Sequence, residues 1–131
     1  MSRPTKPLEK IGGLLKSLSN PVRAQILLAI GTGEACVCHL EALLGLRQAY
    51  ISQQLMLLRR KKIIASRRDG KYIFYRLAKP EVLDIIRAAG KIMGVPRGSL
   101  VIRDHSHCEC PKCGINEAVV STNQQALEQS S

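Results

Sequence analysis

The sequence predicts a mainly α-helical fold with one β-hairpin, a winged helix-turn-helix that assembles as a homodimer. A short apolar-periodic stretch over residues 37–44 is followed by Gly45 and by a longer stretch over residues 48–58 with one apolar face, which is typical of a helix-turn-helix. Two runs of β-branched and aromatic residues then flank Asp69-Gly70, a strong indication of a hairpin. The first and last predicted helices carry more apolar surface than one small core needs, which predicts dimerisation.

Length and charge restrict the classes of function. The chain has 131 residues, a formal net charge of +10 and 45% apolar residues, so it is one basic folded domain with tails. Residues 35–78 hold nine basic and two acidic residues, which favours nucleic acid as the partner over an anionic membrane. No apolar run reaches the roughly 18 residues of a membrane span, and residues 1–10 do not resemble a secretory signal. We therefore expect a cytoplasmic protein with no membrane partner.

Two helices are predicted before the helix-turn-helix, and one is predicted after the hairpin. The first repeats leucine and isoleucine at helical spacing over residues 8–18, and the second covers about residues 21–30, with Asn20 as its N-cap. The last begins near residue 80 and carries apolar residues at i, i+4, i+7 and i+11. Residues 1–96 are thus predicted to form the DNA-binding and dimerisation domain, and residues 97–131 a cysteine-bearing, partly disordered tail.

The polar face of the longer helix and the tip of the hairpin supply the candidate DNA contacts. Polar side chains on such a helix can read base edges, and basic side chains at a wing tip can hold phosphates or reach the minor groove. The helix candidates are Arg47, Gln48, Tyr50, Ser52, Gln53 and Gln54, and the wing candidates are Arg67, Arg68 and Lys71. The alternative is that these residues form an ordinary solvated surface.

The five cysteines fall into two groups, Cys36 and Cys38 near the start of the third helix and Cys108, Cys110 and Cys113 in the tail. In a reducing compartment, such clusters are more often metal ligands or reactive thiols than disulfides. Residues i and i+2 of a regular helix point about 200° apart, so Cys36 and Cys38 can share an ion only if the first turn is frayed or Cys36 precedes it. Cys110 and Cys113 have the spacing of a zinc knuckle, with Gly directly after the second thiol.

Two alternatives to metal binding remain for the cysteines. Cys36 can be a small buried apolar residue while the tail cysteines are idle, or a tail cysteine can link to Cys36 or Cys38 in a redox or persulfide switch. His39, His105 and His107 are secondary ligand candidates because soft metal ions prefer sulfur. An enzyme is not expected, since no Ser/His/Asp set, phosphate-binding loop or carboxylate pair is recognisable. No organic cofactor or small organic substrate is predicted.

Four segments carry a family resemblance: LSNPVR at residues 18–23, CVCHL at residues 36–40, ISQQLMLLR at residues 51–59 and RDGKYIFYRL at residues 68–77. In this order they resemble the ArsR/SmtB family of metal-responsive winged-helix repressors, over roughly residues 18–86. The resemblance implies a homodimer built from the first and last helices, and DNA contact through the fourth helix and the wing. It also implies repression that is relieved when a metal ion binds.

One position departs from the family pattern. Arsenite sensors of the family with this cysteine spacing carry a third cysteine three residues after the second, and here that position is Glu41. A trigonal S3 site for As(III), or an S3 or S4 site for Cd(II), Pb(II) or Zn(II), must then take sulfur from the tail, where Cys110 and Cys113 are the first candidates. The array that binds zinc on the last helix of other members is absent from residues 80–93. The expectation is a repressor released from operator DNA by a thiophilic ion that both cysteine groups bind.

Overall fold

Five α-helices, three short strands and one 3-10 helix make up the part of the chain that the computed structural model describes, residues 5–102. In chain order they are α1 (Lys6–Leu18), α2 (Pro21–Ile30), β1 (Glu34–Cys36), α3 (Val37–Leu44), α4 (Gln48–Arg60), β2 (Ile64–Asp69), β3 (Tyr72–Leu77), α5 (Val82–Ile92) and the 3-10 helix (Arg97–Leu100). The predicted winged helix-turn-helix is confirmed, with α3 and α4 as its two helices and β2 and β3 as its wing.

Helices α2 and α3 begin and end at capping residues that the sequence predicts. The side chain of Asn20 accepts a hydrogen bond of 2.8 Å from the backbone N–H of Val22, and Pro21 occupies the first turn of α2. At the end of α3, Gly45 adopts a left-handed conformation with φ 65°, and its N–H donates to the carbonyl of Glu41 at 2.9 Å. This cap turns the chain sharply, so that α4 packs directly against α3.

The wing belongs to a three-stranded antiparallel sheet with the strand order β1-β3-β2. Ile64–Asp69 and Tyr72–Leu77 pair in register, and Gly70 supplies the positive φ of 62° in the turn between them. β1 is not predicted by its sequence, because three residues are too few to show a period of two. It forms because the second edge of β3 offers backbone partners, and there Cys36 lies opposite Phe74.

The main core lies between the helices and the sheet, and it determines which side of α4 faces outward. Its fully buried side chains include Ile26, Leu27, Leu40, Ile51, Leu55, Leu58 and Ile63. The α4 members of this set follow helical spacing, so the opposite side of α4 faces solvent. Cys36 and Phe74 are buried in a separate small cluster against which Tyr72 packs. The side chain of the first cysteine therefore lies on one face of the sheet, outside the main core.

The two outermost helices leave apolar side chains on the surface of the described chain. Leu8, Ile11 and Leu15 of α1 are at least 50% exposed, while Ile92 and Met93 at the end of α5 are 82% and 77% exposed. Dimerisation through these faces stays a prediction. Among residues 5–102, no helix is both long and apolar enough to cross a membrane.

The start of the predicted tail packs against the domain. A Cβ added to Gly90 of α5 would stand 3.0 Å from the Cδ1 atom of Leu100 in the 3-10 helix. The N–H of Val95 also donates to the carbonyl of Gly90 at 2.8 Å. The missing side chain at Gly90 permits this close approach of the 3-10 helix to α5. The tail cysteines lie outside the described residues.

Candidate DNA interface and cysteine pair

One face of α4 presents polar side chains to solvent. The predicted contact residues on this face are Arg47, Gln48, Tyr50, Ser52 and Gln53. All are exposed except Ser52, which is half-buried. Arg47 is the N-cap of α4, so its guanidinium belongs to the same end of the helix as Gln48 and Tyr50. Guanidinium, amide and hydroxyl groups in this arrangement supply the donors and acceptors that recognise base edges.

Gln54 does not share this face, and the structure corrects its predicted role as a DNA contact. Its side chain is only 6% exposed, and its Oε1 atom accepts a hydrogen bond of 3.1 Å from Nη1 of Arg23. The reason is helical geometry: Gln54 lies three residues after Ile51 and four before Leu58, within the buried stripe of α4. That spacing is visible in the sequence and could have placed Gln54 inside.

Two basic residues at the wing tip are available to a polyanion. Arg68 and Lys71 are exposed, one on each side of the Asp69-Gly70 turn. The ammonium of Lys71 lies 5.4 Å from the centroid of the Tyr72 ring, a cation-π contact that limits the positions of a flexible side chain. Both residues fit the predicted role of phosphate or minor-groove contacts.

Arg67 differs from its neighbours because the protein already binds its guanidinium. Its Nε donates to Oε2 of Glu34 at 2.6 Å, and its Cζ lies 4.6 Å from the centroid of the Phe74 ring. The hydrogen bond to Glu34 raises the pKa of Arg67 above its ordinary value, against an opposing effect of partial desolvation, so the side chain stays a cation. It is still 43% exposed. The predicted contact of Arg67 with DNA would therefore compete with an internal carboxylate.

The thiols of Cys36 and Cys38 lie together at the N-terminal end of α3. Their Sγ atoms are 2.7 Å apart. Cys36 is the N-cap, with an extended backbone (φ −88°, ψ 165°), and its Sγ accepts a hydrogen bond of 3.3 Å from the N–H of His39. Of the two predicted ways to bring the thiols together, the structure shows Cys36 preceding the helix. The extended residue removes the 200° divergence that a regular helix would impose.

The pair provides two soft donors of different accessibility. Cys36 is buried and Cys38 is exposed. Within residues 5–102, no group of three or more His, Cys, Asp or Glu side chains is arranged to hold a metal ion. The donor set fits a thiophilic ion but supplies only two of its ligands, and Cys108, Cys110, Cys113, His105 and His107 all lie outside the described residues.

Comparison with known proteins assigns this helix-turn-helix to a family. The family model described as "Bacterial regulatory protein, arsR family" matches residues 20–66, from the N-cap of α2 into β2. The biofilm growth-associated repressor of Agrobacterium fabrum is 39% identical over 95 residues, which cover 72% of this chain and 81% of that relative. The chain belongs to the ArsR/SmtB family.

Two solved structures of transcriptional repressors share the fold of this ArsR/SmtB protein. BigR from Xylella fastidiosa is 38% identical with a TM-score of 0.61, and the match covers 66% of this chain and 89% of BigR. The antimony-specific repressor AntR is 28% identical with a TM-score of 0.62, and the match covers 72% of this chain and 86% of AntR. As an ArsR/SmtB family member, the protein is a DNA-binding transcriptional repressor and not an enzyme.

Proposed function

We propose that this repressor is released from its operator when a thiophilic metal or metalloid ion binds Cys36 and Cys38. The observation that carries the proposal is that the two thiols lie side by side at the start of α3. Thiolate sulfur selects soft ions such as As(III), Cd(II), Pb(II) and Zn(II) over oxygen-seeking cations. The fold of this chain is also similar to that of AntR, whose name describes it as antimony-specific.

Sulfur from the tail completes the proposed site. A trigonal site for As(III) needs one thiolate beyond the pair, and a tetrahedral site needs two. Cys110 and Cys113 are the first candidates, with Cys108 as a further one, from the same subunit or from its partner. Such ligation would tie the tail to α3, the first helix of the helix-turn-helix. The ion acts as the inducer, and no organic cofactor takes part.

The proposed DNA contacts divide into base readout and phosphate binding. Gln48, Tyr50, Ser52 and Gln53 would read base edges from α4, with Arg47 at the N-terminus of that helix. Arg68 and Lys71 would hold phosphates from the wing tip, together with Arg67 when it leaves Glu34. This division predicts that the helix contributes specificity and the wing contributes affinity.

A homodimer connects the thiol site to operator binding. The exposed apolar side chains of α1 and α5 would be buried against those of a second copy. A two-fold dimer places its two α4 helices in successive major grooves only if they are about 34 Å apart along the DNA. An ion that ties the tail to α3 would change this spacing, and a coupling free energy of roughly 1–3 kcal/mol is sufficient for induction.

A thiol switch without metal is the second candidate function. It is favoured by the exposed position of Cys38 beside Cys36. In this case Cys36 or Cys38 forms a disulfide with a tail cysteine. The two thiols lose two protons and two electrons to a peroxide, which becomes two waters. With a persulfide donor, each of the two thiols would accept one sulfur atom and leave the donor as a thiol. The two protein persulfides would then join as a trisulfide and release hydrogen sulfide.

Native mass spectrometry of the reduced protein separates the two candidates. The chain is incubated with Cd(II) or arsenite, and binding to an operator selected from a random DNA pool is followed by fluorescence anisotropy. A stoichiometric metal adduct that coincides with DNA release is the expected result. Release that follows peroxide or polysulfide treatment, with a disulfide or polysulfide adduct and no uptake of metal, would overturn the proposal in favour of the thiol switch.

A further inference from the structure

Four side chains on one face of the sheet connect the cysteine pair to the wing. Directly opposite residues in an antiparallel pair project to the same face, and so do residues two apart along a strand. Phe74 of β3 lies opposite Cys36 on one side and opposite Arg67 on the other. Glu34 is two residues before Cys36 on β1. Cys36, Phe74, Arg67 and Glu34 therefore share one face.

The contacts within this row are close and partly shielded from water. Cys36 and Phe74 are 2% and 1% exposed and pack in one cluster. The guanidinium of Arg67 covers the Phe74 ring at 4.6 Å, and Glu34 holds its Nε at 2.6 Å. Because Glu34 and Cys36 belong to the same three-residue strand, a displacement of the Cys36 backbone also moves the carboxylate that binds Arg67.

We propose that Glu34 is a positioning residue that competes with DNA phosphate for Arg67 and thereby links the wing to the state of the cysteine pair. Without ligand, a phosphate can draw Arg67 away from Glu34 at the cost of the ion pair. When an ion binds Cys36 and Cys38, β1 and the Phe74 ring hold Arg67 against Glu34, and the wing loses one phosphate contact. Glu34 thus lowers DNA affinity in both states, and more so in the ligand-bound one.

The competition can be measured without knowledge of the operator. In Glu34→Gln, the isosteric amide keeps the shape of the side chain but removes the charge that holds Arg67. On a random-sequence duplex of 30 base pairs, we expect about 3- to 10-fold tighter binding than for the wild type. The slope of log K against log salt should steepen by at most about 0.9, the value for one full phosphate contact, because Arg67 of the wild type divides its time between Glu34 and phosphate.

Matched variants distinguish this competition from a change in net charge or in folding. Glu41→Gln removes the same charge from an exposed position on α3 and should leave the salt slope unchanged. Glu34→Asp retains a carboxylate and should restore the wild-type slope. In an Arg67→Ala background, Glu34→Gln should have no effect, because the two residues then no longer interact. Thermal melting of each variant confirms that it is folded. Glu34→Ser, with a smaller side chain, repeats the comparison with and without Arg67→Ala. Unchanged affinity, or an equal gain in the Arg67→Ala background, would overturn the proposal.

The link to the cysteine pair depends on the proposed function and has its own readout. Cd(II) is added to wild type and to Glu34→Gln, and uptake is followed by thiolate-to-metal absorbance while DNA affinity is measured. We expect both proteins to take up Cd(II) fully. The DNA affinity of the wild type should then fall by a factor within the roughly 5- to 150-fold range of allosteric coupling, and that of Glu34→Gln should fall several-fold less. Equal release of both proteins would overturn the link and leave metal sensing intact. Uptake of Cd(II) by the wild type without its release from DNA would overturn metal sensing. In that case the salt slopes measured without metal would still decide whether Glu34 competes with phosphate for Arg67.

Discussion

The guanidinium of Arg23 donates a hydrogen bond of 3.1 Å to the side-chain oxygen of Gln54, which joins α2 to the buried side of α4. The same guanidinium donates to the backbone carbonyl of Ser17 near the end of α1, at 2.7 Å. One side chain thus connects three helices, including the outermost helix and the helix that carries the candidate base contacts. These hydrogen bonds connect the buried side of α4 to the end of α1 through a single side chain.

Gln54→Ala should lower the stability of the protein. The substitution leaves a guanidinium N–H of Arg23 without its protein acceptor, so we expect the free energy of unfolding to fall by about 1–3 kcal/mol. Urea denaturation followed by circular dichroism measures the change. Gln53→Ala, the adjacent exposed residue, is the control and should change stability by no more than about 0.5 kcal/mol. If Gln54→Ala left stability unchanged and weakened operator binding, Gln54 would be a DNA contact after all.

Gln53→Ala should weaken binding to the operator much more than binding to random DNA. A side-chain amide that pairs with a base contributes roughly 1–3 kcal/mol of discrimination, and a phosphate contact contributes none. Fluorescence anisotropy on the selected operator and on a random duplex of equal length gives the comparison. Equal losses on both duplexes would show that α4 does not read bases through this residue.

Arg67→Ala and Arg68→Ala together should weaken binding to every sequence. Each phosphate contact accounts for about 0.9 of the slope of log K against log salt. The slope should therefore flatten by the equivalent of roughly one to two phosphate contacts. Arg68→Ala should have the larger single effect, because Arg67 must first leave Glu34. Salt titrations of the two single variants and of the double variant measure these contributions. A loss restricted to the operator would assign the wing to base readout instead.

Cys36→Ser and Cys38→Ser should retain DNA binding and lose metal-driven release. A hydroxyl is a hard, neutral donor and cannot replace a thiolate toward a soft ion. Ala42→Ser is the matched control, because it introduces the same hydroxyl at an exposed position of α3 and keeps both thiols. Release of each protein from operator DNA by Cd(II) or arsenite is the measurement. Normal release of either cysteine variant would contradict a shared site.

Truncation after Arg103 should impair the metal response in the same way. The shortened chain retains Cys36 and Cys38 but lacks Cys108, Cys110 and Cys113, so the site would lack its third sulfur ligand. We expect unchanged DNA binding, a smaller thiolate-to-metal absorbance and reduced release. Full absorbance together with normal release from DNA would show that the tail cysteines are not ligands of the ion.

The amino-acid sequence by itself determined the order of the helices and the wing, because these features depend on chemistry within a few residues. The hydrogen bond from the Val22 N–H to Asn20 begins α2, and the left-handed Gly45 ends α3. Asp69-Gly70 lies at the turn that connects β2 to β3. The spacing of Cys36 and Cys38 likewise predicted a thiol site, although it left open whether both thiols could face one ion.

Only the tertiary structure decided the features that depend on residues far apart in the chain. Glu34 and Arg67 are separated by 33 positions, and Arg23 and Gln54 by 31, so no local pattern indicates either pair. β1 exists because β3 offers a second edge, and pairing with that edge accompanies the extended conformation of Cys36, the N-cap of α3. The same sheet places Cys36, Phe74 and Arg67 in one row. Backbone pairing across the sheet, which the sequence alone does not specify, therefore brings the thiol pair next to the wing.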